Sequence, residues 1–144
     1  MVLHSKWCGK NKLKKVWTII SNSLFLQYYI TIMAYNTKTT NHFDKQALRL
    51  SKRYLSIMLD IEALRLSLAE NAFQGNALGN GLYKVRMAIK SKGKGKSGGA
   101  RVITIVKVVD ETVILAAIYD KSDMENISDK ELKDLLLTSK LDSK

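Results

Sequence analysis

Proline is absent from the 144-residue chain, cysteine occurs once and histidine twice, and acids are scarce, with 13 Asp and Glu against 24 Lys and Arg. A single cysteine makes no internal disulfide and no multi-cysteine zinc site, which excludes a disulfide-stapled secreted domain. His4 and His42 are too few for a histidine-rich metal cage and too far apart to ligate from one helix turn. Any chemistry must therefore come from lysine, arginine, tyrosine or carboxylates. With 46% hydrophobic residues the chain can build a core, and its length suits one domain with at most a short appendage.

The net charge of +11 has two sources. Residues 1–32 carry five lysines and no acid, and without them 19 bases face 13 acids, a charge of +6. From Lys84 to Lys107 there are eight bases and again no acid. Such a surface concentrates polyanions, nucleic acid being the commonest and anionic lipid the other candidate.

Residues 1–32 form a leader of unusual composition. It holds Trp7, Cys8 and Trp17, and its apolar run from Val16 to Tyr35 is broken by Ser21, Asn22, Ser23 and Gln27. That polar break argues against a signal peptide and against a membrane span. The simpler expectation is that Met33 is the natural start and that residues 1–32 are upstream sequence read in frame. The expected organisation is a leader over 1–32 and one domain over 33–144.

Within the domain, Met33 to Lys38 is β-compatible. Phe43, Ala47, Leu50 and Tyr54 draw one apolar stripe along a helix, with Asn41 as N-cap. Ile57, Ile61, Leu64 and Leu68 draw a second, ending near Asn71, so the two helices should form an antiparallel hairpin. Residues 73–81, with Gly75, Gly79 and Gly81, read as a loop. In Leu82–Lys90, Tyr83, Val85, Met87 and Ile89 alternate with Lys84, Arg86, Ala88 and Lys90, as in a strand with one basic face. Arg101–Val109 and Thr112–Tyr119 are apolar on both faces and read as central antiparallel strands joined at Asp110-Glu111. Ser128 and Glu131 make a capping box for a last helix. The order β-α-α-β-β-β-α predicts an α+β domain with the helices on one side of an antiparallel sheet.

Gly95-Lys96-Ser97 is not a phosphate-binding P-loop, because Lys90 stands where the first glycine belongs and a β-branched run follows instead of a helix. The segment Ser91–Gly99 is instead a lysine-glycine connection between strands. Two readings stay open: a solvated loop that keeps a sheet edge soluble, or part of a cationic site with Lys84, Arg86, Arg101, Tyr119 and Lys121. Tyr119 alone equally suits the core. Cations of this kind can cleave RNA without histidine. Attack by the 2′-OH needs loss of its proton, stabilisation of extra phosphate charge and protonation of the leaving oxygen. Clustered cations supply the second and lower one another's lysine pKa for the first. The acids Asp120, Asp123, Glu125, Asp129, Glu131 and Asp134 read as a surface and helix-capping set, so no metal and no cofactor is expected.

Three strings carry a resemblance: Gly81-Leu82-Tyr83-Lys84-Val85-Arg86, Gly93 through Ile103 with its Gly-Lys-Ser-Gly-Gly-Ala-Arg core, and Ile118-Tyr119-Asp120-Lys121-Ser122. Together they resemble the RelE/ParE toxin superfamily, most of all its RelE-type and HigB-type members from type II toxin–antitoxin modules. The resemblance spans roughly Met33 to Leu137. It implies a RelE-like microbial-ribonuclease fold and a cytoplasmic, ribosome-dependent endoribonuclease that cuts mRNA and inhibits translation. It also implies neutralisation by a cognate antitoxin of the helix-turn-helix DNA-binding type, with no membrane partner. Carried over by position, Lys94, Lys96, Arg101 and Tyr119 would be catalytic, and Lys84, Arg86, Lys90, Lys92 and Lys121 would bind RNA. The superfamily offers two alternatives: a ParE-like toxin that blocks DNA topoisomerase by binding, and an inactive remnant that only binds its antitoxin.

Overall fold

A computed structural model of the chain describes residues 34–141. The expectations for the leader and for the start at Met33 lie outside the described residues. The elements run β1 (Asn36–Thr39), α1 (Asn41–Ser51), α2 (Ile57–Glu70), β2 (Asn76–Gly79), β3 (Leu82–Met87), a 3₁₀ turn (Lys90–Lys92), β4 (Ala100–Lys107), β5 (Thr112–Asp120) and α3 (Asp129–Leu141). They build the expected α+β domain around one five-stranded sheet of order β1-β5-β4-β3-β2.

The helical stripes do what their spacing predicts: Phe43, Ala47 and Leu50 of α1 and Ile57, Ile61, Leu64 and Leu68 of α2 are buried. Tyr54 belongs to neither helix, since α1 ends at Ser51. The N-cap of α1 is Thr40, not Asn41. Its Oγ1 accepts from the Phe43 amide at 3.1 Å and donates to the Ala116 carbonyl, also at 3.1 Å. That second bond, to β5, selects between two adjacent residues that are both chemically fit to cap.

Central strands β4 and β5 are as apolar as expected, and all nine residues of β5 are buried. Three differences from expectation concern the layers around them. Strand β1 pairs with β5 in parallel, so the sheet is mixed. Residues 76–79 are not loop but a short edge strand antiparallel to β3, reached through Gly75 at φ +89°, where an added Cβ would lie 2.3 Å from the Lys84 carbonyl oxygen. The helices, finally, cover both faces. Helices α1 and α2 pack with Val85, Met87, Val102, Val113, Leu115 and Ile118; Leu132, Leu135 and Leu136 of α3 pack with Leu82, Ile103, Ile105, Ile114 and Tyr119. Strands apolar on both faces require this, because a one-sided helix layer would leave half of their side chains in water.

The β4–β5 ladder is irregular at one point. Between Ile103 and Thr104 the pairing shifts: Ile103 faces Ala117 while Thr104 faces Leu115, so Ala116 is an extra residue on β5. Side chains alternate along a strand, and the extra residue reverses the alternation beyond it. Val113 and Leu115 face α1 and α2, whereas Ala117 and Tyr119 face α3. The bulge thus puts Tyr119 on the same face as Arg101.

Candidate nucleic-acid interface

Across the sheet end Arg86 pairs with Arg101, and Arg101 pairs with Tyr119, giving one row over three strands. This is the adjacency expected from the alternation of β3. The members differ in access. Arg86 is exposed, whereas Arg101 and Tyr119 each retain 6% of their accessible surface.

Arg101 directs its guanidinium at backbone. Nη1 donates to the carbonyls of Lys96 at 3.1 Å and Ala100 at 3.2 Å, and Nη2 donates to that of Ser97 at 3.1 Å. The side chain therefore ties the lysine segment to β4 from below. The Tyr119 hydroxyl meets no donor or acceptor at full hydrogen-bond geometry among the described residues. Burial pushes its pKa above 10, against smaller opposing effects of the Ile127 backbone and the Arg101 charge. It stays protonated at neutral pH.

The lysines separate into two groups. Lys94, Lys96 and Lys121 are exposed, as is Lys90 in the 3₁₀ turn. Lys84 is partly buried and donates to Asn126 Oδ1 at 3.1 Å. Lys92, expected to contact RNA, is spoken for: its Nζ lies 2.6 Å from Asp120 Oδ1 and 2.7 Å from Ser122 Oγ, and its side chain is 9% exposed.

Asp120 is the residue that sequence reasoning misplaced. Read as one of a surface set, it is fully buried. Its carboxylate accepts from Lys92 and the Ser122 amide on one oxygen and from the Tyr54 hydroxyl on the other, with Arg53 Nη2 at 3.5 Å. Burial alone would raise its pKa. Hydrogen bonds from Lys92, Tyr54 and Ser122, together with the Lys92 charge, outweigh burial and hold the group at about 2. The Tyr54 ring completes the cluster, with Arg53 and Lys92 at 5.2 and 5.7 Å from its centroid. A signal was present in the sequence: Asp120 directly follows eight strand residues that are apolar on both faces.

Gly99 seals the segment against β3, since a Cβ there would meet the Met87 carbonyl oxygen at 2.1 Å. Its own carbonyl accepts from the Lys121 amide at 3.1 Å, which sets Lys121 beside the segment. What emerges is a set of exposed cations, Arg86, Lys90, Lys94, Lys96 and Lys121, beside a tyrosine and an arginine that are buried, with Asp120 buried at the root of the segment and Asp123 exposed two residues beyond Lys121. Among the described residues no three or more His, Cys, Asp and Glu converge as metal ligands, and no helix is long and apolar enough to cross a membrane.

Comparison with known proteins bears on the same segment of the chain. Among solved structures, the free E. coli toxin RelE, in a form with two arginines replaced by alanine, matches at 15% identity and a TM-score of 0.45, covering 65% of this chain and 90% of that one. A search of the curated proteins returned no match. The family model described as the RelE toxin of the RelE/RelB toxin–antitoxin system matches residues 35–142, which takes in every element from β1 to α3. The chain belongs to the RelE toxin family: it is the toxin of a toxin–antitoxin pair, and an antitoxin is its partner.

Proposed function

We propose that this toxin is a ribosome-dependent endoribonuclease that cleaves mRNA in the cytoplasm and so stops translation. The observation that carries the reading is the set of exposed cations, in which Lys94 and Lys96 stand on a segment whose carbonyls are bound by Arg101. Cleavage is by the RNA's own 2′-OH. Lys94 and Lys96 approach the scissile phosphate and offset the charge that grows on it. Arg86, Lys90, Lys121 and Lys84 hold flanking phosphates. Arg101 adds its fixed charge from beneath while shaping the segment, and Tyr119, whose hydroxyl is buried, packs beside it. Lys92 acts through Asp120 instead of touching RNA.

Induction of the chain in growing cells tests this against topoisomerase blockade. Protein synthesis should stop while DNA replication continues, and Lys94→Ala/Lys96→Ala should restore growth. Arrested replication with translation intact would favour the ParE-like mode, and no arrest at all would favour a remnant that only binds its antitoxin.

A further inference from the structure

Three consecutive residues open the lysine segment, and each is gripped from a different place. The Lys90 amide donates to Asp60 Oδ2 at 3.1 Å. The Ser91 amide donates to Ser56 Oγ at 2.8 Å, and Ser56 Oγ in turn donates to the same Asp60 oxygen at 2.7 Å. The Lys92 ammonium enters the Asp120 cluster. Asp60 comes from α2 and Asp120 from the end of β5, and they are 4% and 0% exposed. At the far end the segment is fixed again, by Arg101 on the carbonyls of Lys96 and Ser97 and by Lys121 on that of Gly99. Between these attachments Gly93 and Gly95 take φ values of +71° and +64°, which would otherwise leave the backbone free to roam.

We infer that Asp60 and Asp120 are positioning residues for cleavage: two buried carboxylates that fix the root of the Lys90–Lys92 turn so that Lys94 and Lys96 are held in one place over the Arg86–Arg101–Tyr119 row. This rests on the endoribonuclease reading for its effect on rate, but not for the clamp itself. The physical case begins with expense. Burying a carboxylate is costly unless it is paired or hydrogen-bonded, and apolar residues of the same size serve stability as well as a buried ion pair does, so an ion-paired Asp120 and a hydrogen-bonded Asp60 at the base of one short segment call for another use. Holding a reacting group in place is such a use, because a displacement of about 1 Å can cost on the order of 100-fold in rate. The clamp also accounts for the division among the lysines. Lys92 is sacrificed to the anchor, and the exposed Lys94 and Lys96 are the ones it presents.

The test compares the full chain with Asp120→Asn and Asp60→Asn, which keep shape and remove charge, and with Ser56→Ala, which loosens the Ser91 contact without stranding a buried charge. Two readouts are taken below each variant's melting temperature: amide hydrogen exchange, and kcat and KM for cleavage of ribosome-bound mRNA. Exchange at the bonded amides of Gly93 and Gly98 should quicken about tenfold in the Asp variants and about threefold in Ser56→Ala, over and above the factor by which lost global stability quickens residues 102–106 in the same variant. In the Asp variants kcat should fall about tenfold or more while KM stays within about threefold. Exchange at Gly93 and Gly98 that quickens no more than at residues 102–106 in all three variants overturns the clamp. Faster exchange with unchanged kcat overturns the positioning role. A wild-type chain that cuts no mRNA overturns the endoribonuclease reading, and the exchange data then still decide whether the clamp exists.

Discussion

Removing the Asp120 carboxylate should cost the domain a large share of its stability, and the size of the loss can be worked out in two ways. Asp120→Ala strands Lys92, whose side chain is 9% exposed, and deprives Tyr54 of its acceptor. Breaking a buried pair from one side costs about 3–5 kcal/mol, and Ser122 Oγ remains to receive the ammonium, which favours the lower end, about 3 kcal/mol. Proton linkage gives a second figure. A carboxyl brought from 3.8 to about 2 on folding contributes about 2 kcal/mol at neutral pH. The two agree within the spread of such numbers, and each is a sizeable part of the roughly 5–15 kcal/mol typical of a domain. Urea denaturation at pH 7 measures it. The midpoint should drop with the slope unchanged, and Lys92→Met added to Asp120→Ala should recover stability, since it removes the stranded charge, with a coupling of about 1–3 kcal/mol. A single-variant loss under about 1 kcal/mol, or strict additivity of the two changes, would mean that the buried pair does not hold the domain together in this way.

Other expectations come from the same structure. Because the folded pKa of Asp120 lies below its unfolded value, its contribution is complete above about pH 4 and is lost as pH falls toward 2; Asp120→Asn should flatten that part of a pH series of thermal melts. Gly99→Ala drives a methyl onto the Met87 carbonyl and should destabilise by about 1–3 kcal/mol or more, visible as a lowered melting temperature. Thr40→Ala removes both the α1 cap and the bond to Ala116 and should cost about 1–2 kcal/mol in urea, against a near-neutral Asn41→Ala. Raising the salt concentration should weaken RNA binding steeply, and Lys94→Ala should reduce the slope of log K against log salt by nearly one, about 0.7–0.9.

The parts of the fold legible in the sequence were those where one side-chain period dominates. The stripe from Ile57 to Leu68 and the alternation through Val85 and Met87 each leave a single face to bury, and the structure buries it. Strand β2 was hidden by its glycines, since it is made by pairing with β3 instead of by its own pattern, whereas β1 was read as β-compatible and only its parallel pairing with β5 went unread. The position of α3 was legible and misread: strands apolar on both faces, as Ile103, Ile105 and Ile114 show, already demand cover on both. At the candidate site, the row Arg86–Arg101–Tyr119 was partly readable, because strand pairing brings the bases together. The bulge at Ala116 that turns Tyr119 to that face has no mark in the sequence. Nor does charge alone tell a free lysine from a committed one. Lys92 and Lys94 are two residues apart in the same string, and only the burial of Asp120 separates their uses.

Endoribonuclease activity is tested most directly by mapping mRNA ends in a translating extract given the purified chain. New 5′ ends should appear within the ribosome-bound reading frame, dependent on translation and lost in Lys94→Ala/Lys96→Ala with the fold intact by circular dichroism. Intact mRNA in the presence of folded wild-type protein, or cleavage undiminished by the double substitution, would contradict the proposed activity.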